Sequence, residues 1–281
     1  MVRILGPIVG LGFVGVLLWS LLWGAISYVQ EPPVPTAEHE FHLHPKEVAF
    51  SFDGPFGKYD KAQLQRGLQV YKEVCSACHS LRLVSFRDLT ALGYTDGQVK
   101  TLAAEWTTET PSINPETGEP ATRKSIPSDR IPSPFANEVA ARAANNGALP
   151  PDLSLMTKAR HDGPAYVHSL LTGFQDQPAK MLKEFPDSKT PEGLHFNPYF
   201  ANLNIAMAPP LTGEGQVTYG PGNPKPSVDQ MATDVSAFLA WTAEPKLENR
   251  HSLGLAVLIF LLFATGFAYL AYQNIWRDKK H

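Results

Sequence analysis

Both cysteines of this 281-residue chain fall in one pentapeptide, Cys75-Ser76-Ala77-Cys78-His79. Two thiols at this spacing on a helical turn can each form a thioether to one edge of a porphyrin. The imidazole directly after the second thiol then lies beneath the iron. Two other chemistries use paired thiols. Zinc would need two more thiolate or imidazole ligands at matching spacing, and the chain has no second C-x-x-C. A redox dithiol would sit in a βαβ context, which the flanking sequence lacks. The motif therefore reads as the attachment site of one covalent haem c. A helix must deliver the thiols, and other parts of the chain must close over the far face of the group.

Two segments read as membrane spans. Residues 4–29 and 252–272 contain no charged side chain, and each exceeds the roughly 20 apolar residues that cross a ~30 Å hydrocarbon core. The second is followed by Trp276-Arg277-Asp278-Lys279-Lys280, an aromatic and then basic residues, as expected on the cytoplasmic side. The first begins with Arg3 and carries Trp19 and Trp23 toward its far end. It reads as a retained anchor rather than a cleaved signal, because its apolar run is longer than a typical signal core of ~7–15 residues. Both termini then lie inside and residues 30–250 outside, the side on which thioether attachment takes place.

The outer part opens with Glu31-Pro32-Pro33-Val34-Pro35, a stiff extended spacer. His39, His42 and His44 follow and read as solvated linker residues. A helix is expected over 61–75, capped by Asp60 with Gln63 three residues on. Leu64, Leu68, Tyr71 and Cys75 form its apolar stripe, and Gly67 within it points to a second helix passing close by. The partner is expected over 227–243, capped by Ser227, with Asp229 in its first turn and Met231, Val235, Phe238, Leu239 and Trp241 inward; Pro245 ends it. Shorter helices are expected over 138–145 and 165–173. The 25 prolines and 21 glycines imply long irregular connections, and residues 111–134, with almost no apolar content, read as a surface excursion.

His79 fills one axial position, and the other decides the chemistry: a second strong ligand makes an electron carrier, an open position allows small-molecule reactions. The candidates are Met156, Met181, Met207, Met231, His161, His168 and His195. Met207 stands out in Ile205-Ala206-Met207-Ala208-Pro209-Pro210-Leu211, where two prolines stiffen the loop. Met231 reads as core.

Further strings carry a resemblance. They are Arg66-Gly67-Leu68-Gln69-Val70-Tyr71, the run from Ala140 through Arg142 and Pro150-Pro151-Asp152-Leu153 to Ser154, Leu170-Leu171-Thr172-Gly173, and Phe196-Asn197-Pro198-Tyr199-Phe200. With the haem motif and the methionine loop, they resemble the cytochrome c1 family, the haem subunit of the cytochrome bc1 complex (ubiquinol–cytochrome c oxidoreductase). The fold this implies is mainly α: a cytochrome c-type haem domain with long irregular loops, plus a transmembrane helix at the C-terminus and another at the N-terminus. The expected divisions are an anchor over 1–29, the periplasmic haem domain over 30–250, a span over 251–276 and a cytoplasmic tail over 277–281, in a bacterial inner membrane. Cys75 and Cys78 are implied as thioether anchors, His79 and Met207 as axial ligands, and Arg142 as the partner of a haem propionate. Two features depart from the family: some bacterial relatives carry an extra cysteine pair, and the family's N-terminal signal is usually removed.

The role implied is one-electron relay within the reductase, with no catalytic residue of the chain's own. A Rieske iron–sulfur protein is the donor, cytochrome b the neighbouring subunit, and a soluble or tethered cytochrome c the acceptor, in a dimeric complex that binds no nucleic acid. The alternative is a membrane-tethered c-type cytochrome shuttle or oxidase subunit outside such a complex. Setting aside Arg3, Arg277, Asp278, Lys279 and Lys280, the remaining 20 basic and 26 acidic residues leave the outer part at −6. Such a surface steers a basic partner. Glu105, Glu109, Glu116 and Glu119 form an acidic run expected to be part of the docking patch.

Overall fold

The computed structural model describes residues 2–32 and 34–279. Pro33 of the spacer and Lys280 of the basic tail lie outside the described residues, as does the side chain of Arg3. Helix α1 (Val2–Gln30) covers the first apolar segment with its side chains exposed, Trp19 and Trp23 stacking 6.3 Å apart. After the spacer, α2 (Ala37–Phe41) is capped by Thr36.

Helix α3 (Lys61–Glu73) starts where the capping signal places it: Asp60 Oδ1 accepts from the Ala62 and Gln63 amides at 2.9 and 3.3 Å. It ends two residues before the sequence reading. Cys75–Ala77 forms a 3₁₀ turn, with the Cys78 amide donating to the Cys75 carbonyl at 3.1 Å. A 3₁₀ turn brings positions i and i+3 onto one face, and Cys78 follows this one as its C-cap.

A second 3₁₀ helix (Phe86–Leu92) and α4 (Asp96–Ala104) follow, each with a capping box. An antiparallel hairpin of β1 (Thr110–Ile113) and β2 (Pro120–Arg123) pairs Thr110 with Arg123. The surface excursion expected over 111–134 is thus only partly one. Its second half returns to the core: Ile131 is buried, its amide donates to the Val84 carbonyl, and the Phe86 and Arg87 amides donate to the Asp129 and Pro127 carbonyls.

The remaining elements are α5 (Glu138–Ala144), α6 (Met156–Ala159), α7 (Gly163–Thr172) and α8 (Ala179–Glu184), a third 3₁₀ turn (Pro186–Ser188), then the short ladder of β3 (His195–Phe196) with β4 (Asn204–Ile205), then α9 (Val228–Ala243) and α10 (Leu247–Trp276). Pro245 separates α9 from α10, which runs through the second apolar segment. With little sheet and two apolar terminal helices, the fold is mainly α, as expected.

α9 is the central element. It packs against α3, α6 and α7, and every residue from Asp234 to Ala243 is buried, not only the five-residue face read from periodicity. Phe238 lies 5.9 Å from Tyr71 and 5.8 Å from Trp241, ring centre to ring centre. A smaller core of Ala37, Met181, Phe196 and Leu203 fastens α2 to α8 and the β3–β4 ladder. At the other end, the Tyr59 hydroxyl donates to the Ala240 and Glu244 carbonyls and the Tyr59 amide to Glu248 Oε1. The helix leading to the cysteine motif is therefore tied to the base of the C-terminal apolar helix.

Candidate functional site: a haem-attachment turn

The site is built on the turn that ends α3. Cys75 is half-buried and Cys78 exposed, both as free thiols. Burial, with Cys78 adding to it, pushes the Cys75 thiol up to about 12, so it stays protonated at neutral pH and is a poor redox thiolate. Among the described residues no set of three or more His, Cys, Asp and Glu side chains gathers as tetrahedral zinc would require.

His79 Nδ1 lies 2.8 Å from the Pro151 carbonyl oxygen. A carbonyl only accepts, so Nδ1 carries the proton and Nε2 is left as the basic nitrogen. Burial lowers the His79 pKa, and the Pro151 bond and the nearby Asp152 only partly offset this, so the ring is neutral, the state a metal ligand needs. The buried Tyr71 hydroxyl donates to the His79 carbonyl at 2.8 Å and fixes the backbone from the other side. Sequence reasoning assigned no role to Pro151, Asp152 or the Tyr71 hydroxyl. The Pro150-Pro151-Asp152 run is the only local signal there was.

The candidates for the opposite axial position sort by burial. Met231 and Met181 are fully buried in the main and minor cores, and Met156 packs against the main core. His161 is exposed beside Asp162, and His168 is buried with Nε2 3.0 Å from Asp229. His195 sits in β3 and faces a cavity of about 680 Å³ that Pro209 also lines. Met207 is half-buried and lies outside both apolar cores. Its loop is braced on both sides. Before it, β4 pairs with β3, the Asn197 amide donates to the Leu203 carbonyl, and Asn197 Nδ2 reaches the Leu170 carbonyl of α7 at 2.8 Å. After it, Gln216 Nε2 donates to the Pro210 carbonyl at 2.9 Å.

Arg142 lies exposed on α5, and its Nη1 donates to the Gly147 carbonyl at 3.1 Å. It makes no ion pair among the described residues, so its charge is available to a carboxylate. Of the acidic run, Glu105, Glu109, Glu116 and Glu119 are all exposed. The hairpin brings Arg123 opposite Thr110, next to Glu109, although Arg123 itself is taken up by Asp129.

Paired free thiols on a 3₁₀ turn, a neutral imidazole with its proton fixed away from Nε2, and a braced methionine loop outside the core form a donor set that suits a haem. Together with the helical fold and apolar terminal helices, they are features of the membrane-associated haem proteins. The Cytochrome C1 family model matches residues 50–279. Cytochrome c1 of Rhodospirillum rubrum is 46% identical over 248 residues, covering 85% of this chain and 89% of that one. The mitochondrial cytochrome c1 heme protein of Saccharomyces cerevisiae is 46% identical over 225 residues, covering 80% and 69%. Cytochrome b/c1 of Bradyrhizobium diazoefficiens is 42% identical over 251 residues, 82% of this chain but 35% of that longer protein.

The chain belongs to the cytochrome c1 family. It is accordingly a membrane-associated, haem-containing electron-transfer subunit of the bc1 complex, the ubiquinol–cytochrome c reductase, whose companions are cytochrome b and the Rieske protein.

Proposed function

We propose that this chain takes one electron from the Rieske protein and gives it to a soluble or tethered cytochrome c through a haem joined covalently to Cys75 and Cys78. His79 Nε2 and the Met207 thioether would hold its iron, and Arg142 would pair with a propionate. The observation that carries this reading is the 2.8 Å bond from His79 Nδ1 to Pro151, which turns the neutral imidazole into a ligand of fixed tautomer directly after the two thiols. When bound, the haem supplies a one-electron carrier; a thioether ligand favours its ferrous state and raises the potential.

The residues present the group and keep its surroundings stiff, so little reorganises when charge moves. Tyr71 and Pro151 hold His79 from two sides, the β3–β4 ladder and Gln216 hold the methionine loop, and α9 packs against α3, the helix that leads to the turn. The two terminal helices fit an arrangement with both ends in the cytoplasm, residues 30–250 in the periplasm, and the C-terminal span over 251–276 in the inner membrane of a dimeric complex. The name cytochrome b/c1 of the Bradyrhizobium relative supports cytochrome b as the immediate neighbour.

A pyridine haemochrome spectrum and resistance of the colour to acidified acetone test the attachment. In the purified complex, quinol should reduce this haem at a rate abolished when the Rieske protein is removed, and restored when it is added back. Reduction that ignores the Rieske protein would overturn the relay.

A further inference from the structure

We propose that Asp152 is a positioning residue for the axial histidine: its carboxylate locks the peptide that carries the Pro151 carbonyl against His79 Nδ1. The proposal rests on the reading of His79 as an iron ligand.

The geometry is that of a clamp between two chain segments 70 or more positions apart. Asp152 Oδ2 accepts from the Ser80 hydroxyl and from the Arg82 amide, each at 2.8 Å. Its Oδ1 accepts from the Ser154 amide at 3.0 Å. Two backbone-anchored bonds continue the seam: the Leu153 amide donates to the Ser80 carbonyl at 2.9 Å, and the Leu83 amide to Ser154 Oγ at 3.1 Å. His79 and Pro151 form the next rung of this ladder.

Proline fixes φ at position 151, so the direction of its carbonyl depends on ψ alone, and ψ is set by where residue 152 is held. Asp152 is the side chain that holds it. A carboxylate is required because it is the acceptor of all three bonds; an asparagine would turn its NH₂ toward one of the donors. Burial alone would raise the Asp152 pKa, but the bonds from Arg82, Ser154 and Ser80 outweigh it, so the group is an anion at working pH.

The sign of the effect follows. A firm acceptor on Nδ1 makes the imidazole a stronger donor to iron, which favours the oxidised state. A nearby negative charge favours it too. Loosening the clamp therefore favours reduction.

The test uses the full-length protein in its complex. In Asp152→Asn, haem content by haemochrome spectrum should match the parent, while the reduced-to-oxidised ratio at a fixed ambient potential rises about threefold to tenfold. The electron paramagnetic resonance g-values of the ferric low-spin state should shift as well, because they report the orientation of the axial ligands. Ser80→Ala removes one donor without touching the backbone and should shift both readouts the same way, by less. An attached haem with parental potential and g-values in Asp152→Asn would overturn the proposal. If that variant does not accumulate, Ser80→Ala decides by the same two readouts. Failure of the underlying ligand assignment looks different: His79→Ala would then leave the parental spectrum unchanged.

Discussion

Gly67 of α3 meets the backbone of Asp234 in α9 so closely that a methyl group at position 67 would lie 2.1 Å from the Asp234 carbonyl oxygen. It would also lie 2.6 Å from Phe238 Cβ. Neither neighbour is the free end of a flexible side chain. A Gly67→Ala variant must therefore push α3 and α9 apart, and because Cys75 follows α3 directly, the haem turn moves with it. We expect a loss of about 3 kcal/mol or more, at the upper end for overpacked sites. A lower thermal midpoint and reduced haem incorporation would show it. An unchanged midpoint would mean the helices do not cross in this way.

The same crossing carries a bidentate ion pair. Arg66 Nε and Nη2 bond the two oxygens of Asp234 at 2.9 and 3.0 Å, and Gln230 Nε2 adds a third bond. The Asp234 side chain is fully buried and that of Arg66 is 12% exposed. Removing only the acid strands the guanidinium, so Asp234→Leu should cost about 3–5 kcal/mol. The double variant Arg66→Leu/Asp234→Leu should recover more than half of that loss, since the pair is deleted rather than broken. Urea unfolding of the four members of this cycle gives the answer, and additive losses would contradict it.

Met207 and Met231 make opposite predictions although both are thioethers near the end of the domain. Met231 is sealed in the main core, and Met207 stands outside it in a braced loop. Met207→Leu should lower the reduction potential and let the reduced protein bind carbon monoxide. Met231→Leu, a near volume-conserving change, should leave both properties alone and cost under about 1.5 kcal/mol. Optical redox titration and a carbon monoxide difference spectrum distinguish the two residues. If the Met231 variant were the one that bound the gas, the axial assignment would be reversed.

Features written in local pattern were legible in the sequence. Asp60 and Ser227 begin α3 and α9, and Gly67 marks a helix crossing. Features made by tertiary contact were not. Polar neighbours hid the return of Ile131 to the core, because its burial comes from amide bonds to the 84–87 segment rather than from an apolar run. α9 looked amphipathic because Ser236, Thr242 and Asp234 count as polar in a pattern, yet each is buried. Pro151 and Asp152 act on His79 across some 70 positions, which no spacing rule could reveal.

His168 makes the fold around α7 and α9 acid-sensitive. Its side chain is 4% exposed; Nε2 faces Asp229 of α9 at 3.0 Å, and Nδ1 is buried without a hydrogen-bond partner among the described residues. Lys46, whose Nζ bonds Thr172 one turn along α7, adds a positive charge nearby. Burial lowers the His168 pKa, and the attraction of Asp229, itself largely exposed, does not make up the difference. The folded state therefore binds this proton less tightly than the unfolded chain, whose histidine titrates near 6.5. Stability is complete above about 6.5 and falls as pH drops from there toward the depressed folded value. In His168→Phe the thermal midpoint should vary less between pH 8 and a pH of about 5.5 than in the parent. Parallel midpoint curves for the two proteins would mean that another group carries the acid sensitivity.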